Sequence, residues 1–162
     1  MEVKAQVHTI EKLKDYHFLV PDYQREYVWE VDDQVEQFLA DIANEFDPGA
    51  KDPSSYFIGS IIIVKNGSKY DVIDGQQRLT TTVITMCALR DLLKDQVLDQ
   101  VQEHYLKTIQ SWLSSFDMQS KQVQVRLELQ YEESKDFLLQ LILGKALPPS
   151  STLSIERMRA AY

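Results

Sequence analysis

Apolar residues recur along this chain at steps of three and four in several separate stretches, the period of a helix with one buried side. Val35, Phe38, Leu39, Ile42 and Phe46 fall on one such side, and Asp33 with Glu36 three residues later makes a capping-box-like start. Leu79, Val83, Met86, Cys87, Arg90 and Leu93 predict a second helix from Arg78 to Leu93, free of Gly and Pro. Thr80, Thr81 and Thr82 weaken its intrinsic propensity. A third helix, from about Val97 to Phe116, carries Leu98, Val101, Tyr105, Ile109, Trp112, Leu113 and Phe116 on its apolar side and is expected to pack on the second. Phe137 to Leu143 reads as a helix closed by Gly144, and Ser154 to Tyr162 as one with no stop signal after it.

Between these lie extended segments. Thr9 can cap a short helix holding Ile10 and Leu13, after which His17-Phe18-Leu19-Val20 runs extended into Pro21. Tyr56 to Lys65 is rich in β-branched and aromatic residues, Asn66-Gly67 is a hairpin turn, and Lys69 to Asp74 is the return strand. Val123 to Gln130 alternates apolar and polar residues strictly, as a half-buried strand does. Asp47 to Ser55 and Pro148 to Ser151 are loops by composition. The sum is an α+β fold with a small mixed sheet.

The chain has 162 residues, enough for one domain with a real core. Residues 1–162 are therefore read as a single domain with a helical extension from about residue 95, and the unfinished last helix reads as a cut fragment. A hydrophobic fraction of 44% with 26% charged residues excludes a disordered or fibrous chain. No stretch approaches a membrane span, and the amino terminus lacks the apolar run of a secretory signal, so a cytoplasmic location without membrane contact is expected. The single cysteine, Cys87, excludes internal disulfides and thiolate-rich zinc sites. Its place on an apolar helical stripe predicts a buried, inert thiol. A net charge of −8 repels polyanions overall, so any DNA contact must come from a local basic patch.

One short segment carries chemistry. Asp74-Gly75-Gln76-Gln77-Arg78 joins a strand to a helix, where unpaired backbone amides and the helix dipole favour a phosphate or carboxylate, and Gly75 allows close approach. Arg78 in the first helical turn opposes the dipole, a mismatch that an anionic partner resolves. Gln76 and Gln77 can orient a water, a base edge or a phosphate oxygen, and Thr80 and Thr81 add hydroxyls nearby. Asp74 has two roles open to it: a helix cap, which spacing alone favours, or a carboxylate that holds Mg²⁺ or a ribose and positions water. The plain alternative for the whole pentapeptide is a tight strand-to-helix turn.

A second cluster, Val20-Pro21-Asp22-Tyr23-Gln24-Arg25-Glu26-Tyr27-Val28-Trp29, crowds aromatic and polar residues after a proline. Aromatic faces stack on bases, and the arginine fork matches phosphate oxygens or a guanine edge. Tyr27 and Trp29 also suit a core with their polar tips at its rim, and for Trp29 the core reading is the stronger. His8, His17 and His104 are scattered without metal-ligand spacing, and His104 is expected to be solvated.

Taken in order, VPDYQREYVW, Asp41-Ile42, YFIGSIII (Tyr56 to Ile63) and VIDGQQRLTT (Val72 to Thr81) resemble the amino-terminal domain of GmrSD-type, modification-dependent restriction proteins. That family is similar to the ParB and sulfiredoxin superfamily, in which a comparable turn binds nucleotide phosphates. The resemblance implies a ParB-like mixed sheet packed with helices and a nucleoside triphosphate bound with Mg²⁺ and hydrolysed in the course of restricting modified DNA in phage defence. It also implies a His-Asn-His nuclease domain, in cis or in trans, whose pattern is not found here. By position it makes Tyr23, Gln24, Arg25, Gly75, Arg78, Thr80 and Thr81 candidates for phosphate binding, Asp74, Gln76, Gln77 and Arg78 for catalysis, and Asp74 for Mg²⁺. A second reading is a ParB-like module without catalysis that senses modified DNA and gates a partner nuclease. Walker-type phosphate loops are absent, and the turn lacks the cysteine of sulfiredoxin-like chemistry.

Overall fold

A computed structural model describes residues 4–45, 56–149 and 151–162. After a 3-10 turn, Ile10–Asp15, the chain forms β1 (Phe18–Val20) and then crosses to a π-type turn, Val31–Val35, that leads directly into α1 (Glu36–Glu45). The helical run thus starts earlier than the Asp33–Glu36 pattern predicts. Gln34 Oε1 accepts from the Glu30 amide and so closes the first turn three residues upstream. Val35 and Phe38 are buried as expected, Leu39 is exposed, and Phe46 and the 47–55 loop fall outside the described residues.

The hairpin is β2 (Ile62–Asn66) and β3 (Lys69–Asp74), turned at Gly67. Only its last residues pair, although the β-rich composition runs back to Tyr56. Gly59, at φ +108°, bends the chain before it can enter the sheet, and the register shifts again between Ile62 and Ile63. The long helix α2 (Gln76–Lys94) follows β3 after Gly75 alone.

Next come α3 (Gln100–Leu113), the hairpin β4 (Ser114–Asp117) and β5 (Gln122–Val125), β6 (Leu127–Leu129), α4 (Lys135–Ile142) and α5 (Leu153–Ala161). Asp99 and Gln102 form a reciprocal capping box that starts α3. That helix packs on α2 as predicted, but it ends at Leu113 rather than at Phe116. Asp117 explains the change: its carboxylate accepts from the Gln119 amide, Ser120 and Gln124, which ties a hairpin turn where a helix would continue. The predicted strand over 123–130 is two short strands in different sheets. The break falls at Arg126, whose amide reaches back to Leu113 while its carbonyl receives the Phe18 amide.

The main sheet runs β2-β3-β1-β6, with β1 parallel to both β3 and β6 and the β2–β3 hairpin antiparallel. The α+β class with a small mixed sheet therefore holds, and the second half of the chain contributes one edge of that sheet. Phe18, Val20, Val72, Leu127 and Leu129 meet Leu79, Val83, Ile84 and Cys87 of α2, Phe137, Leu138 and Leu141 of α4, and Ile155 and Met158 of α5 in one core. Buried on nearly every side over its first three turns, α2 has three consecutive threonines inside the protein. The Thr81 and Thr82 hydroxyls bond back to the carbonyls of Gln77 and Arg78, which lets polar side chains enter the core.

Candidate functional site

Because β1 and β3 run parallel, the segments that leave them emerge at the same edge of the sheet, with β6 ending beside them. Ligands of open α/β sheets bind outside such carboxyl ends, where neighbouring connections diverge. The two clusters picked out in the sequence, 21–29 and 74–78, are these two connections.

Side chains then lock the first connection onto the second. Gln77 Oε1 accepts from the Val28 amide at 2.9 Å and its Nε2 donates to the Glu26 carbonyl at 2.9 Å. The hydroxyls of Tyr27 and Thr81 meet at 2.8 Å, Gln24 Nε2 donates to the Ile73 carbonyl at 3.1 Å, and Tyr131 donates to the Arg25 carbonyl at 2.7 Å. Burial raises the Tyr27 hydroxyl above its usual pKa, opposed in part by the Thr81 bond. Tyr131 is pushed up to about 12 by burial and by the charges of Glu26 and Asp22, so it stays a donor. Trp29 lies edge-on to Phe38 at 5.7 Å, part of the packing beneath the loop.

With its backbone held, the 21–29 loop presents Tyr23, which is 68% exposed, and an exposed Arg25. Asp74 is exposed at the end of β3. It is not the helix cap that spacing favours. Gly75 takes the cap position at φ +88°, and among the described residues no side chain caps the first turn of α2, so that the end keeps its donors and its positive dipole. Arg78, half-buried in that turn, donates Nη1 to the Ser60 carbonyl at 3.2 Å.

Other candidates sit elsewhere. Gln76 and Gln77 are both buried, and both ends of the Gln77 carboxamide are engaged by backbone. Thr80 and Thr81 face the core, where Thr81 serves Tyr27 and Gln77. Gln24 is tied to β3. The structure thus brings Asp74, Gly75, Arg78 and the Tyr23–Arg25 loop to one edge and turns Gln77, Thr80 and Thr81 inward. Sequence reasoning met Gly59, Ser60 and Ile61 only as part of the Tyr56–Ile63 block and did not make them site candidates, although they underlie the turn. Their signal was a glycine inside a β-rich run, a mark of close backbone approach.

Two open clefts, of about 250 and about 450 Å³, lie instead at the far end of α2 around Asp91, Lys94 and Gly144. Their strongest polar groups are already paired. Arg90, only 6% exposed, donates to the carbonyls of Leu141 and Ile142 and to Asp91, which also receives the Tyr162 hydroxyl. Among the described residues, the donors left free at the turn favour it over these two clefts as the place for chemistry.

Cys87 is fully buried, and burial pushes its thiol up to about 12, as expected of an inert thiol. His104 is exposed on α3. Among the described residues no group of three or more His, Cys, Asp or Glu side chains gathers as a metal site, and no helix is long and apolar enough to cross a membrane.

No curated protein matches the chain. A family model described as the GmrSD restriction endonuclease N-terminal domain matches residues 7–160, which spans both halves of the sheet and every element of the candidate site. With nearly its whole length matched, the chain belongs to the family of GmrSD restriction endonuclease N-terminal domains and has a restriction-related function.

Proposed function

We propose that this domain binds a nucleoside triphosphate with Mg²⁺ at the Asp74–Arg78 turn and hydrolyses it within a modification-dependent restriction protein of phage defence. One observation carries the reading: an arginine lies in the first turn of a helix whose amino terminus no side chain among the described residues caps. Phosphate oxygens would accept from the turn's amides and from Arg78, with Arg25 neutralising further charge from the clamped loop. The exposed Asp74 carboxylate suits Mg²⁺, which is commonly held by one or two carboxylates together with substrate phosphates rather than by an all-protein cage. The ion would neutralise charge developing on the phosphates. Asp74 would also position the attacking water, and the buried Gln77 would hold the loop. In this arrangement the turn plays the part of the nucleotide-binding turn of ParB-like proteins.

Purified protein incubated with each triphosphate and Mg²⁺ is expected to release phosphate, and Arg78→Ala to lose at least tenfold of that rate, since charge-assisted contacts in such sites contribute about 2 kcal/mol or more. Equal release from both proteins sinks the hydrolase reading.

A second reading is a module without catalysis that contacts modified DNA and gates a His-Asn-His nuclease. Exposed Tyr23 beside exposed Arg25 on a hydrogen-bonded loop supports it, because the pair suits stacking on a base and contact with a phosphate. Salt-dependent DNA binding lost in Tyr23→Ala and Arg25→Ala, without phosphate release in any variant, would favour it.

A further inference from the structure

We propose that Gly59 is a positioning residue for Arg78, and that the Gly59-Ser60-Ile61 segment forms a third wall of the site. A methyl group on Gly59 would lie 1.9 Å from Arg78 Nη1, 2.8 Å from Cζ and 3.3 Å from Nε. The guanidinium therefore rests on the space that a missing side chain leaves. Its Nη1 donates to the carbonyl of the next residue, Ser60, at 3.2 Å. A methyl group on Gly75 would meet that same Ser60 oxygen at 2.9 Å. Two glycines at positive φ, +108° and +88°, thus bracket one carbonyl–arginine pair, one opening room for the guanidinium and the other for the oxygen that holds it.

An arginine has five N–H donors in a rigid fork. With one directed at Ser60, the plane of the guanidinium is set and the remaining donors are left for an anion at the turn. Any side chain at position 59 must push the guanidinium off this seat. The displaced group is the far end of a flexible side chain, so the contact itself yields and the arginine loses its place, while the backbone strain of a side chain at φ +108° is matched in kind by a control glycine at positive φ.

The proposal rests on the reading that the turn binds a polyphosphate, and two measurements separate them. The full chain is titrated with Mg-ATP and Mg-GTP by calorimetry as wild type, Gly59→Ala, Arg78→Ala, the double variant and Gly67→Ala. The last shares a left-handed backbone, at φ +62°, but has nothing within 4 Å of the added methyl group. Gly59→Ala is expected to weaken binding about tenfold, the double variant to bind no more weakly than Arg78→Ala, and Gly67→Ala to bind as wild type. Additive losses, or wild-type affinity in Gly59→Ala, overturn the proposal. If wild type binds neither nucleotide, the nucleotide reading fails, and the Arg78 Nε–Hε resonance decides the role of Gly59. It should move in Gly59→Ala but not in Gly67→Ala, and an unmoved signal overturns the positioning role.

Discussion

The side-chain oxygen of Gln77 accepts the backbone amide of Val28 at 2.9 Å, while its nitrogen donates to the carbonyl two residues earlier. One carboxamide thus copies the pairing of a neighbouring strand and fastens the loop after β1 to the first turn of α2. Gln77→Glu keeps the size of the side chain but removes the donor and sets a buried carboxylate against the Glu26 carbonyl. A loss of about 1–3 kcal/mol in urea unfolding is expected, with faster amide exchange over residues 24–29. Wild-type stability in this variant would contradict the clamp.

Gly75 and Gly67 both have positive φ, but only Gly75 is confined, with the Ser60 oxygen 2.9 Å and Ile61 Cα 3.1 Å from an added methyl group. Backbone cannot yield as a flexible side chain can. Gly75→Ala should therefore lower the thermal midpoint clearly more than Gly67→Ala, by about 1–3 kcal/mol of stability against roughly 1 kcal/mol. Matching midpoints would mean that the turn relaxes freely.

Burial acts to raise the pKa of Asp91, yet hydrogen bonds from Arg90 and Tyr162 and the charges of Arg90 and Lys94 outweigh it and leave the carboxyl below its ordinary 3.8. A carboxylate with a depressed folded pKa contributes stability that is fully present well above pH 3.8 and is lost as pH falls through the folded value. Asp91→Asn should be less stable than wild type at pH 7, and the gap should narrow below about pH 4. A gap that is constant with pH would show that the charge on Asp91 is not the source.

Cys87 has no surface open to solvent, and burial pushes its thiol up to about 12. Dithionitrobenzoate at pH 8 should leave the native chain almost unlabelled and label it fully in denaturant. Prompt native labelling would mean that α2 opens readily from the core.

Much of the site could be read in the chain order. The strand–glycine–helix junction at Asp74, the hairpin at Asn66-Gly67 and the proline after β1 rest on local backbone preferences, which need no partner to act. Boundaries failed where a distant residue decided them, as when Arg126 split a strand by bonding to Leu113 and Phe18. The inward turn of Gln77, Thr80 and Thr81 was hidden for the same reason. Polar side chains look like site chemistry in a sequence, and only the packing of α2 shows their partners to be buried carbonyls and a tyrosine.

By itself the sequence determined the α+β class, the elements from β1 to α2 in their order, the inert thiol and an arginine beside an amide-rich turn, because periodicity and turn chemistry act over a few residues. Tertiary structure alone decided that β1 lies parallel to β3, which brings Tyr23, Arg25, Asp74 and Arg78 to one sheet edge, and that Gly59 lies under the guanidinium. Those relations depend on hydrogen bonds and excluded volume between separate segments of the chain, and a glycine in a β-rich run marks a close approach without saying what approaches.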